Sequence, residues 1–119
     1  MFKVIIADSR DFNDYEMLKT YADHVLQNIK EPIEIVSGTA KGADQLGEQY
    51  ARERGYQLKT FPAEWNKYGK AAGYRRNQQM ANYADALIAF WDCESNGTHH
   101  MIETAKQCGL KVRIKTFIA

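Results

Sequence analysis

A chain of 119 residues with 45% hydrophobic content is long enough to bury one core of its own, so a single domain over 1–119 is expected. Sixteen basic and fifteen acidic side chains leave a formal charge of +1, which argues against a protein built chiefly to grip nucleic acid. Cys93 and Cys108 are the only cysteines and form neither a CxxC pair nor a metal-ligand spacing, which points to a reducing, cytoplasmic setting.

The first element is the apolar run Val4 to Ala7, too short for a secretory core and followed at once by Asp8, Arg10 and Asp11. No later window approaches membrane-spanning length, so no membrane partner is expected. Apolar at every position, the run predicts a strand covered on both faces. Tyr15, Leu18, Ala22, Val25 and Ile29 then recur at three- and four-residue steps and mark a helix face. Ile33 to Val36 reads as a second strand, interrupted once by Glu34 and so more peripheral in pattern. Ala43, Leu46, Tyr50 and Ala51 mark a second helix, stopped by Gly55.

Gln57 to Phe61 alternates like an edge strand. Pro62 to Gly73 has no clear periodicity and reads as a long loop, either functional or simply packed on the surface; it carries Trp65, Lys67 and Tyr68, suited to covering a planar ligand. A third helix is marked by Tyr74, Asn77, Met80, Ala81 and Ala84. Ala86 to Trp91 is a second fully apolar strand. Met101, Ile102, Ala105 and Cys108 mark a fourth helix ending at Gly109, and Lys111 to Lys115 alternates as another edge strand.

Strict alternation of strand and helix implies right-handed crossovers and a parallel sheet. Placing the most apolar strands innermost predicts a Rossmann-like three-layer α/β sandwich, with strand order 3-2-1-4-5 and helices on both faces. Ligands in such a sheet sit beyond the carboxyl ends of the strands, where strand order reverses. Three loops rich in Gly, Ser, Thr and charge fall at that edge.

In the second of these, Gly38 and Gly42 permit close approach of backbone N–H groups to an anion, Ser37 and Thr39 offer hydroxyls, and Lys41 a charge. Asp44 could equally complement the following helix dipole, and the whole could be a turn and cap; neither a Walker loop nor GxGxxG is present. In the third, Gly97 and Thr98 repeat the design at a helix start. In the first, Arg10 is placed to fork onto a phosphate, or to pair with Asp8, Asp11 or Asp14. Arg75 and Arg76 open the third helix and point to different sides. His99 and His100 diverge on their helix and complete no metal set, so no metal site is expected.

Taken together, "SRDF", "SGTAKGADQLGEQYA", "FPAEWNKYGKAAGYRRNQQMA", "ADALIAFWD" and "SNGTHHMIETA" resemble the YspA-type, cpYpsA-related branch of the SLOG superfamily. That superfamily also holds the DprA/Smf and Lonely Guy proteins. The resemblance spans nearly the whole chain. It implies binding of a nucleotide or nucleotide-derived, phosphate-bearing small molecule, often in phage-related settings, with no separate cofactor. By position it implies ligand contacts from Ser9, Arg10, Ser37, Gly38, Gly42, Asp44, Arg76, Asn77, Gly97 and Thr98. Thr39, Lys41 and Trp65 join them as loop residues beside these positions.

Asp8 stands where the family commonly has glycine, and Met101 stands where the Lonely Guy motif has glutamate. The catalytic carboxylate of a phosphoribohydrolase-like reaction is therefore unassigned, although Asp8, Asp11, Asp44 or Asp92 could supply it. Sensing or sequestering is the leading expectation. An N-glycosidase-like enzyme is the alternative, and single-stranded DNA binding is disfavoured by the charge balance. Tyr83, Phe117 and Ile118 hint at a homodimer face.

Overall fold

In a computed structural model, which describes residues 1–39 and 43–118, the five strands form one parallel sheet in the order 3-2-1-4-5. The strands are β1 (Phe2–Asp8), β2 (Ile33–Ser37), β3 (Gln57–Thr60), β4 (Ala86–Trp91) and β5 (Lys111–Thr116). The helices are α1 (Tyr15–Leu26), α2 (Ala43–Arg54), α3 (Trp65–Tyr68), α4 (Ala72–Tyr83) and α5 (Asn96–Gln107). At the centre, Val4 to Asp8 of β1 pair in register with Ala86 to Phe90 of β4.

The pleat sends alternate side chains to two cores. Val4, Ile6, Ile35, Ile88 and Phe90 face α1 and α2, meeting Leu18, Ala22, Leu26, Tyr50 and Ala51. Ile5, Val36, Leu87 and Ala89 face α4 and α5, meeting Met80, Ala81, Met101, Ile102 and Ala105. The three-layer sandwich read from alternation is thus the observed one. Gly55 and Gly109 close α2 and α5 with φ of 71° and 78°, a left-handed conformation that glycine adopts without a Cβ penalty. No helix among the described residues is long and apolar enough to cross a membrane.

Three features depart from the sequence pattern. β2 is buried along its whole length, Glu34 included. The Tyr83 hydroxyl donates to the Glu34 carboxylate, so a charged residue is accommodated in an interior strand. The segment after β3 is not an extended loop: α3 and a 3-10 turn at Gly69–Ala71 run directly into α4. Tyr74, counted on the apolar face of that helix, is exposed and lies at a tilt against His100 with ring centroids 4.3 Å apart. The apolar residues noted as a dimer hint are partly used internally. Tyr83 bonds Glu34, and Phe117 packs edge-on against Phe12 at 4.9 Å.

Candidate functional site

The carboxyl edge of the sheet gathers the ends of β1, β2 and β4 with the starts of α4 and α5. Its pivot is the consecutive pair Arg76 and Asn77 in α4. The Arg76 Nη1 donates to the Gly38 carbonyl oxygen at 2.6 Å, reaching from α4 to the loop after β2. A Cβ on Gly38 would lie 2.7 Å from that same nitrogen, so the guanidinium can lie there only because residue 38 has no side chain. Arg76 Nε donates to Asn77 Oδ1 at 3.1 Å.

That bond orients the amide of Asn77, which is buried. Asn77 Nδ2 then donates to the Gly97 carbonyl at 3.4 Å and to His100 Nδ1 at 3.1 Å, both in α5. An accepting Nδ1 leaves the proton of a neutral imidazole on Nε2, which faces Thr104 Oγ1 at 3.4 Å. Burial, with His99 adjacent, holds the His100 pKa below the ordinary histidine value. One arginine and one asparagine therefore join the β2 loop to the first turn of α5.

Trp65 extends the cluster outward. It is 60% exposed, and its Cη2 lies 3.5 Å from where a Cβ on Gly73 would stand. Arg76 Nη2 lies 3.8 Å from the same point. The indole edge and the guanidinium thus flank Gly73 together. A planar group laid on Trp65 would have a cation beside it.

The loops after β1 and β4 are tied separately. Ser9 is fully buried, and its Oγ accepts from the Asp92 N–H at 3.0 Å. Asp92 accepts from the N–H groups of Ser95 at 2.7 Å and Glu94 at 2.9 Å, and from the Ser95 hydroxyl at 2.8 Å. These bonds, that to the Ser95 amide foremost, hold its carboxyl down to about 2. Ser95 occupies the N-cap position of α5 but makes no capping bond, since its hydroxyl is turned to Asp92. α1, by contrast, is capped by Asp14, which accepts from the Met17 N–H at 3.0 Å. The first turn of α5 keeps its own amides uncapped by Ser95, with the positive end of the helix dipole behind them.

The structure brings together Gly38, Trp65, Arg76, Asn77 and Gly97. Thr98 is buried in the first turn of α5, and Arg10 is exposed beyond β1. Ser37 is buried; its hydroxyl donates to Glu48 Oε2 at 2.9 Å and accepts from the Thr39 N–H at 3.1 Å. Thr39 holds a left-handed φ of 59° and is exposed. Lys41 and Gly42 lie outside the described residues, as does the side chain of Asp44. The pattern of the sequence did not single out Glu48, His100 as a partner of Asn77, or Gly73. Glu48 lies eleven positions from Ser37, in the next helix.

Two open grooves lie elsewhere. One of about 680 Å³ is lined by Leu26, Ile33, Arg54 and Tyr56 at the amino edge, and one of about 450 Å³ runs beside α1 over β4 and β5. Neither includes a residue of the carboxyl-edge cluster. Among the described residues, no three His, Cys, Asp or Glu side chains group as a metal site.

Residues 2–68 match the family model described as YspA, cpYpsA-related SLOG family. The Gene 61 protein of Mycobacterium phage D29 is 30% identical, across 94% of this chain and 94% of its own. DNA processing protein A (DprA) from Streptococcus pneumoniae has the same fold over 96% of this chain, with a TM-score of 0.73 at 20% identity; the chain spans 50% of that protein. The family match, the phage relative and the 3-2-1-4-5 sheet agree, and the chain belongs to the YspA, cpYpsA-related SLOG family.

Proposed function

We propose that the carboxyl-edge cluster binds a nucleotide or nucleotide-derived, phosphate-bearing small molecule, and that the protein senses or sequesters it. The carrying observation is the reach of Arg76 to Gly38 and of Asn77 to Gly97. These contacts gather a cation, a side-chain-free loop backbone and the α5 N-terminus at the sheet's strand-order switch point. Phosphate oxygens would meet the guanidinium and the first-turn amides of α5, and a base or ribose would lie on exposed Trp65.

A second reading, hydrolysis of an N-glycosidic bond in the same ligand class, needs a carboxylate near the reacting carbon. Glu48, bonded to Ser37 at the end of β2, and Asp8, the last residue of β1, are the acids at this edge that would serve that reading. Asp92 has its oxygens engaged by Glu94 and Ser95.

A thermal-shift screen against nucleotides, cyclic nucleotides and ADP-ribose derivatives tests the proposal. A specific ligand at about a hundredfold over its Kd adds about 2.7 kcal/mol to stability and raises the midpoint. Arg76→Ala should remove the shift. If no member of the panel raises the midpoint of the wild-type protein, the binding reading fails. Turnover abolished by Glu48→Gln with affinity retained would favour the hydrolase.

A further inference from the structure

α1 and α2 cover one face of the sheet, and the β5 end of that face carries exposed side chains. The β4–β5 register pairs Ala86 with Lys111, Ile88 with Arg113 and Phe90 with Lys115. Ala86, Ile88 and Phe90 belong to the core beneath α1, so the three basic side chains stand on that same face, at the sheet's outer edge. All three are exposed. Their spacing along the strand is about 7 Å per pair of residues.

Beside them runs the groove of about 450 Å³, floored by Val4, Ala86 and Ile88 and walled by His24 and Val25 of α1. Lys111 and Arg113 line it, and among the described residues no Asp or Glu does. In a chain with nearly equal numbers of acids and bases, this is a segregated positive surface.

The free edge of β5 adds backbone chemistry. At the two ends of the strand, the Lys111 and Phe117 N–H groups donate inward, to Asp85 and Trp91. Two-residue alternation along a parallel ladder then turns the main-chain groups of Val112, Ile114 and Thr116 outward. One of these outward carbonyls, that of Val112, is covered by Arg113 Nη1 at 3.0 Å. The guanidinium shields the edge and is free to leave it for a better acceptor.

We propose that β5 is a docking edge for an extended acidic segment of a partner protein, added to the sheet as a sixth strand. Acidic side chains at alternate positions meet Lys111, Arg113 and Lys115, while the intervening apolar ones face the other way along the added strand. A second copy of this chain is disfavoured, because two β5 strands side by side oppose like charges. A single-stranded nucleic acid is disfavoured as well. It needs exposed aromatic faces for its bases, whereas the groove's Phe2 and Tyr21 are both half-buried, the Tyr21 ring edge-to-face with Phe90.

Amide hydrogen exchange of the full chain, with and without a heptapeptide of alternating Glu and Val, tests this. The expected result is protection of the Val112, Ile114 and Thr116 amides. Affinity should fall about tenfold or more when Lys111, Arg113 and Lys115 are all changed to Glu, and should be unchanged in Lys106→Glu on α5. Arg113→Gln, a milder change at an exposed position, should fall between. The proposal is overturned by absence of binding at low ionic strength, by binding without protection at β5, or by equal affinity in the triple variant. It is equally overturned if oligothymidylate, rather than the peptide, binds through these residues.

Discussion

Arg76 lies across Gly38, its Nη1 bonded to the glycine carbonyl at 2.6 Å and its Cζ 2.9 Å from where a Cβ would stand. Alanine at position 38 must therefore push the guanidinium away. Gly38→Ala should cost about 1–2 kcal/mol, since the clash is with the far end of a flexible side chain rather than with backbone. In an Arg76→Ala background that cost should largely vanish. A double-mutant cycle by chemical denaturation should give a coupling of about 1 kcal/mol; additive effects would mean that the contact carries no energy.

His100 makes the same network sensitive to pH. Its Nδ1 accepts from Asn77, and its folded pKa lies below the ordinary value of 6.5 because the ring is partly buried and stands beside His99. Between the folded and unfolded values the unfolded chain binds more protons, so stability rises with pH. The contribution is complete above 6.5 and is lost as pH falls through the lower folded value. Thermal midpoints of the wild type and His100→Gln, measured from pH 7.5 to 5, should diverge on the acid side. Parallel curves would remove His100 from the account.

Gly47 of α2 faces the central strand, with its missing Cβ 3.2 Å from both Cβ and Cγ2 of Ile6. Alanine would favour the helix by about 0.5–1 kcal/mol. Ile6 is buried in the central strand between β2 and β4, and it has little room to give. Overpacking costs about 1–3 kcal/mol, so Gly47→Ala should be net destabilising in a denaturant titration.

Asp92 tests the loop that presents α5. With its carboxyl held down to about 2 by the Ser95 and Glu94 amides, its contribution is full above the unfolded value of 3.8 and disappears as pH falls toward 2. Asp92→Asn should cost about 1–2 kcal/mol at neutral pH and much less near pH 2. An equal cost at both pH values would show that the carboxylate charge is not what orders this turn.

The fold was largely legible, and the reasons are local. Val4 to Ala7 and Ala86 to Trp91 are apolar at every position because both faces of β1 and β4 are covered, and that alone puts them at the centre. Lys111 to Lys115 alternates because one face of β5 is open. Glu34 misleads the pattern of β2: its partner Tyr83 lies 49 positions away, and no local signal announces it. Residues 65–71 look irregular because their short helical turns bury no residue.

At the candidate site the residue types were readable but their engagements were not. A serine after a strand looks the same whether its hydroxyl awaits a ligand or, like those of Ser9 and Ser37, already bonds another loop or helix. Arg76 and Asn77 are adjacent in sequence. Only the packed α4 makes one reach Gly38 and the other reach Gly97.

The most direct measurement is an amide and indole resonance map of the protein titrated with AMP and with ADP-ribose. Saturable shifts are expected at Gly38, Gly97, Thr98 and the Trp65 indole, and their loss in Arg76→Ala. Shifts centred on the grooves beside α1, or none for either probe, would contradict binding at the carboxyl edge.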